Sequence, residues 1–185
     1  MKYFGIIEHE DDKQPLHICD TDFGMSIDQL EEGLDLSCSK VEKKVLNISD
    51  DVDIMDWQSV VLPLVSKKFL NVVLSTNCTG LQYFPVDLVK GKKTYEYFCL
   101  NYIPVLTGAV DKSESAILPG VINDYYASPA VLETKTNSLD IFRTKETDKR
   151  IVVSQRLQAM LKKEKVTGVD FLQYKTSSKG NVKIK

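Results

Sequence analysis

The sequence predicts an α+β fold: a single domain on a mixed or mainly antiparallel sheet, with a few helices and an internal strand-helix-strand repeat. Short apolar runs of strand length are joined by turn residues, convincing helical periodicity is confined to two stretches, and one block of sequence returns at a fixed offset. The 185 residues, 43% hydrophobic and 27% charged, are enough to bury one core. Strand-rich runs with so few helices argue against a regular βαβ architecture.

Tyr3 to Ile7 is an apolar run suited to an opening strand, and Leu16 to Cys19 reads as a second. Ser26 is placed to cap a short helix carrying Ile27, Leu30 and Leu34, although Gly33 weakens it. Val52 and Ile54 alternate with Asp51 and Asp53, the pattern of an edge strand with one wet face.

The repeat begins at Val65. Val65-Ser66-Lys67-Lys68-Phe69 returns 88 residues later as Val153-Ser154-Gln155-Arg156-Leu157. Thirteen residues after each serine stand Thr79-Gly80-Leu81-Gln82-Tyr83 and Thr167-Gly168-Val169-Asp170-Phe171. One unit used twice explains both: an apolar strand, a serine N-cap, an amphipathic helix, a glycine stop and a strand. Phe69, Val72 and Val73 correspond to Leu157, Met160 and Leu161, one apolar stripe at i, i+3 and i+4. Gly80 and Gly168 fall past the helix ends, where a positive φ is needed.

Between the copies, Lys90-Gly91-Lys92 predicts a turn joining strands at Leu81–Leu88 and Thr94–Leu106, with Pro85 and Pro104 marking an edge or a bend. A loop-rich stretch with Pro119, Gly120 and Pro129 follows Asp111–Ser115. Leu139–Phe142 and Ile151–Val153 read as strands flanking the polar turn at Lys145–Lys149, and Thr176–Lys185 as a basic, frayed tail.

Composition restricts function. The longest apolar stretch, Val60 to Val65, is six residues and contains Pro63, far short of the roughly 20 that span a membrane. The N-terminus turns acidic at Glu8, Glu10, Asp11 and Asp12, leaving no room for a secretory leader, so a cytoplasmic protein is expected. Cys19, Cys38, Cys78 and Cys99 form no Cys-x-x-Cys pair and are expected as free, mostly buried thiols. The net charge of −2 conceals an asymmetry: residues 1–60 hold 15 acids against 5 lysines, net −10, and the remainder is net +8. Such a split bears on partners and solubility, not on fold.

No chemistry-bearing motif survives inspection. Ser154 follows a strand and opens a helix but lacks the Gly-x-Ser-x-Gly frame of a nucleophile elbow, and capping accounts for Ser66 and Ser154 alike. His17-Ile18-Cys19-Asp20-Thr21-Asp22 gathers ligand types without a second Cys/His pair to close a tetrahedral zinc site. In Asp50-Asp51-Val52-Asp53-Ile54-Met55-Asp56 the calcium-loop glycine is missing, since the sixth residue from Asp51 is Asp56. The lysines from Lys162 to Lys185 lack arginine-aromatic interleaving and suit a solvated face and tail better than nucleic acid. Neither a cofactor nor a metal is expected, and the reading is of a non-enzyme.

From about Trp57 to Tyr174 the order of elements is itself a signature. Val65-Ser66-Lys67-Lys68-Phe69, Tyr83-Phe84-Pro85-Val86, Tyr95 to Asn101, Val110-Asp111-Lys112-Ser113-Glu114-Ser115, Asp140-Ile141-Phe142-Arg143, Ile151-Val152-Val153-Ser154 and Thr167-Gly168-Val169-Asp170-Phe171 together resemble bacterial polymorphic-toxin immunity family eleven, first described as a domain of unknown function. The resemblance implies a small cytoplasmic protein, encoded beside a toxin gene, that protects its producer by binding the toxin's effector domain. It brings no catalytic residues and names no toxin. It divides the chain into an acidic part at 1–56, which it covers poorly, an immunity-like part at 57–174 and a basic tail at 175–185. The alternatives are a ligand-binding domain or enzyme with a dispersed site, and an interaction scaffold or nucleic-acid adaptor.

The expected working surface is the acidic segment, because complementary charge steers association and a toxin that grips phosphates carries a basic cleft. Its candidate residues are Glu31, Glu32, Asp50, Asp51, Asp53 and Asp56, with Trp57 as an aromatic anchor. The partner is a cognate protein toxin, with a nuclease in view; the competing expectation pairs these acids within the fold.

Overall fold

The computed structural model describes residues 1–8, 43–50, 53–59, 63–119, 125–147 and 150–177. The Leu16–Cys19 strand, the Ser26 helix, the His17–Asp22 cluster and the tail beyond residue 177 lie outside them. The fold is α+β and rich in antiparallel pairing, with two main sheets rather than one.

The five-stranded sheet is built from β2 (Lys44–Ile48), β3 (Trp57–Ser59), β4 (Pro63–Ser66), β5 (Gln82–Lys90) and β6 (Lys93–Tyr102), in the order β2-β5-β6-β4-β3. The six-stranded sheet uses β1 (Tyr3–Glu8), β7 (Val105–Leu106), β10 (Ala130–Leu132), β11 (Ile141–Thr144), β12 (Ile151–Ser154) and β13 (Val169–Ser177), in the order β10-β13-β1-β12-β11-β7. A small antiparallel pair, β8 (Ala116–Leu118) and β9 (Tyr125–Ser128), stands beside them. Helix α1 (Lys67–Leu74) follows β4 directly, and α2 (Gln155–Lys163) follows β12.

The repeat is larger than its sequence signature. Register makes β3-β4-β6-β5-β2 of one sheet equivalent to β11-β12-β1-β13-β10 of the other, with β2 parallel to β5 as β10 is to β13. Ser66 lies opposite Tyr97 as Ser154 lies opposite Tyr3, and Trp57 opposite Val65 as Ile141 lies opposite Val153. Tyr97-Phe98 on β6 is therefore the counterpart of Tyr3-Phe4 on β1. The second unit takes its central strand from the start of the chain, so the duplication is circularly permuted. The offset of 88 therefore holds through β5 and β13, where Val86 matches Tyr174, and the counterpart of β6 is found at the start of the chain rather than after β13.

The helices pack on the sheets and on each other over one shared core, in which Phe69, Val73, Leu157 and Leu161 are fully buried with Trp57, Leu100, Ile103 and Ile141. The periodic stripe is what the core receives, at about 1.5–3 kcal/mol for each large apolar side chain removed from water. On the far faces the two sheets hold equivalent clusters: Leu46, Leu64, Val86, Tyr97 and Cys99 in one, Val131, Val152, Tyr174 and Tyr3 in the other. Gly5 stands where Cys99 does, and a Cβ there would run into the Tyr174 hydroxyl. The larger Tyr174, in the place of Val86, fills the space that the glycine vacates.

Turns follow the sequence. Gly80, Gly91 and Gly168 have φ of +87°, +57° and +83°, and the β5–β6 hairpin turns at Gly91–Lys92. Pro104 lies in the bend between β6 and β7. One expectation shifts: Asp53 to Met55 are not strand, and the edge strand starts at Trp57, directly after Asp56, whose carboxylate is engaged by Ser66 and Lys68. Val52 is outside the described residues.

Candidate functional site

The acidic segment meets the framework at the entrance to β3. Each helix is opened by a serine in extended conformation, Ser66 at φ −66°, ψ 161° and Ser154 at φ −70°, ψ 160°. Its hydroxyl oxygen accepts a hydrogen bond from the amide three residues on, Phe69 at 3.2 Å and Leu157 at 3.1 Å. The hydroxyl proton is donated to an aspartate that precedes the antiparallel partner strand: Ser66 to Asp56 at 2.6 Å, and Ser154 to Asp140. The second residue of the helix closes the group, with Lys68 Nζ 2.6 Å from Asp56 and the Arg156 guanidinium holding both oxygens of Asp140. A carboxylate beside a helix N-terminus also suits the helix dipole.

Each carboxylate then reaches across to the other unit. Asp56 Oδ2 accepts from the Thr167 amide at 3.0 Å and its hydroxyl at 3.1 Å, in the loop after α2. Asp140 Oδ2 accepts from the Asn77 amide at 2.9 Å, in the loop after α1. The backbone repeats the exchange, Trp57 N–H to Thr167 O at 3.1 Å and Asp140 N–H to Asn77 O at 2.9 Å. Two reciprocal clamps thus tie the halves together. Neither aspartate was legible as half of a pair, although Asp-Trp at 56–57 and Asp-Ile at 140–141 precede their strands at a common offset of 84.

Burial pushes the Asp56 carboxyl up, but Lys68, Ser66 and Thr167 outweigh it and hold its pKa below the ordinary value. Burial acts likewise on Asp140, and Arg156, Ser154 and Asn77 hold it below the ordinary value. A carboxylate stabilised in its charged form is a poor base, and a hydroxyl already holding a helix amide is poorly placed to attack a substrate. Serine, carboxylate and cation sit together here as caps.

The sequence-predicted surface residues separate into four groups. Trp57 is only 5% exposed, its ring 5.3 Å from that of Phe69 in the core, and it presents no face to a partner. Asp56 is engaged in its clamp. Asp50 and Asp53 are exposed, Asp50 beside the Gly91 turn and Asp53 with its carbonyl accepting from Gln58 Nε2 at 3.0 Å. Glu31, Glu32 and Asp51 lie outside the described residues. Cys99 is buried, which pushes its thiol up to about 12, and Cys78 is half-buried with its thiol also raised by burial; Cys19 and Cys38 are outside the described residues. Among the described residues, no three His, Cys, Asp or Glu side chains are arranged to hold a metal ion, and no helix is long and apolar enough to cross a membrane.

Residues 6–176 match the Immunity protein family (Imm11). The chain belongs to that family. The match begins on β1, so it takes in the acidic part that the sequence resemblance had left outside, as the place of β1 in the middle of a sheet requires. No curated protein matches the chain. What this chain repeats between its halves is the clamp and the core, and the repeated motifs lie on that framework.

Proposed function

We propose that this protein binds the effector domain of a cognate toxin and neutralises it in the cytoplasm of the cell that makes both, by occupying a working face and not by catalysis. The observation that carries the reading is the Imm11 match along residues 6–176. The use of both serine-carboxylate groups as helix caps supports a binding role over an enzymatic one.

The favoured partner is a nuclease, whose phosphate-gripping cleft complements the net −10 of residues 1–60. Asp50 and Asp53 are the exposed members of that surface, with Glu31, Glu32 and Asp51 assigned to it from the sequence. Asp56 and Trp57, the remaining candidates, are held in the clamp and in the core.

Co-expression with the toxin encoded by the neighbouring gene is the direct test: survival of the host is expected, and death despite soluble protein rejects immunity. Association measured at low and high salt then addresses charge. Asp50, Asp51 and Asp53 changed together to Asn are expected to slow binding about tenfold at low salt and little at high salt. Equal rates with retained protection reject the acidic surface and leave immunity standing.

A further inference from the structure

The two halves differ at one sheet edge in a way that nothing among the described residues compensates. Asp111 N–H donates to Ala130 O and Leu132 N–H to Ala109 O, both on the side of β10 away from β13, so Val131 is the residue that bonds β13. Alternation then turns the N–H and C=O of Lys175, Gln173 and Phe171 away from β1. β10 pairs only with Lys175–Ser177, whereas β1 pairs with Val169–Tyr174 on the opposite side. Among the described residues, no strand therefore pairs with the outer edge at Phe171 and Gln173.

The same edge exists on β5, where β2 pairs with Val86–Lys90 and stops. The residue equivalent to Gln173 there is Pro85, which has no N–H to offer, one of the devices that blunt an exposed edge. At Gln173 the donor is intact. A groove of about 510 Å³ adjoins the C-terminal end of this stretch at Gln173 and continues beside β10, lined by Lys2, Glu114, Ala130, Gln173, Lys175 and Ser177. Lys175 Nζ donates to the Glu114 carbonyl at 3.4 Å, and among the described residues no carboxylate pairs with Lys2 or Lys175. Leu172 and Ile7, 40% and 43% exposed, share the adjoining sheet face.

We propose that the outer edge of β13 at Phe171 and Gln173 takes up an extended, acidic segment of the toxin as an added strand. An unpaired row of backbone donors and acceptors is met in full by another extended chain, with alternate side chains reading the flanking face. The two ammonium groups call for carboxylates on the incoming segment, and Leu172 and Ile7 for an apolar residue between them. This rests on the immunity reading, and it places a contact on the opposite half of the molecule from Asp50 and Asp53.

The probe is the purified effector domain of the toxin encoded beside this gene, with the full-length protein. Gln173→Pro, which copies Pro85, is expected to weaken binding about tenfold or more, with the circular dichroism spectrum unchanged. Lys2→Glu with Lys175→Glu, both on the surface, tests the same edge if the proline disturbs folding, and is expected to slow association at low salt. Hydrogen exchange is expected to show the Phe171 and Gln173 amides protected only in the complex. Full affinity in both variants, or no gain of amide protection, overturns the edge and leaves immunity intact. Failure of the wild type to bind overturns both. Self-association in sedimentation that Gln173→Pro abolishes assigns the edge to a second copy of the chain and overturns the toxin as its occupant.

Discussion

The first half, from β2 to β6, and the second, from β10 to β13 with β1, solve the same structural problem with different side chains. Around Asp140 the clamp is closed: the carboxylate is 1% exposed and an arginine grips it with two donors. Around Asp56 it is looser, 13% exposed and paired to a lysine at one oxygen. The comparison separates what the architecture demands from what it tolerates. Both halves keep the capping serine, the carboxylate and the bridge to the opposite loop. They vary the cation, the helix C-terminus and the filling of the outer face, where Gly5 is matched by the larger Tyr174.

The most damaging way to break the equivalence is to undo one member of a matched pair. Gly5→Cys copies Cys99 but drives a side chain into Tyr174, and a loss of roughly 3 kcal/mol in urea unfolding is expected. Tyr174→Val alone leaves a void and is expected to cost about 3 kcal/mol. Together they reproduce the Cys99–Val86 arrangement of the other sheet, and the double variant is expected to be more stable than the sum of the single losses. Simple additivity would show that the two faces are not equivalent.

The clamps come next. Asp140→Ala is expected to cost about 3 kcal/mol, since it leaves Ser154, Asn77 and Arg156 without their shared acceptor. Asp56→Ala, at the more open site, is expected to cost about 1–2 kcal/mol. Equal losses would remove the distinction drawn from burial. Ser66→Ala and Ser154→Ala should each cost about 1 kcal/mol as lost N-caps.

Acid sharpens the same point. Both aspartates have pKa values depressed on folding, so their contribution is present above the ordinary carboxylate value and is lost as pH falls through the lowered ones. Melting temperature is therefore expected to be insensitive to these groups between pH 5 and 7, about where they stay charged in both states, and to fall below about pH 4. In Asp56→Asn with Asp140→Asn that acid-limb fall is expected to be shallower. An identical acid limb in the double variant would assign the pH dependence to other carboxylates.

The smallest expected effect lies at the helix ends. α2 closes with Val166 N–H on Leu161 O at 3.0 Å and Lys165 at φ +52°, a left-handed position that glycine takes at less cost. Lys165→Gly is expected to raise stability by about 0.5–1 kcal/mol. α1 instead ends on the hydroxyls of Ser75 and Thr76, each 2.6 Å from a helix carbonyl, and Ser75→Gly should give no such gain.

Local chemistry was legible in the sequence because it acts over a few residues. The capping serines, the helical stripe of Phe69, Val73, Leu157 and Leu161, the Gly80, Gly91 and Gly168 positions and the β5–β6 turn are all fixed by neighbours within one or two turns of chain. From these the α+β class and the repeat followed. The short strands β2 and β10 were missed, since a few residues of strand carry too little periodicity to stand out and are held by pairing with β5 and β13.

What tertiary structure alone decided is the meaning of partners distant in sequence. Asp56 read as part of an acidic run, yet its role is set by Thr167, 111 residues away, and Trp57 read as a surface aromatic, yet it fills the core beside Phe69. A carboxylate or an indole looks the same in sequence whether it faces water or a packed neighbour, because burial is a property of the assembled sheets and not of the local chain. The place of β1 is the extreme case: its composition marks it as a strand, but only pairing with β12 and β13 makes it the missing member of the second repeat.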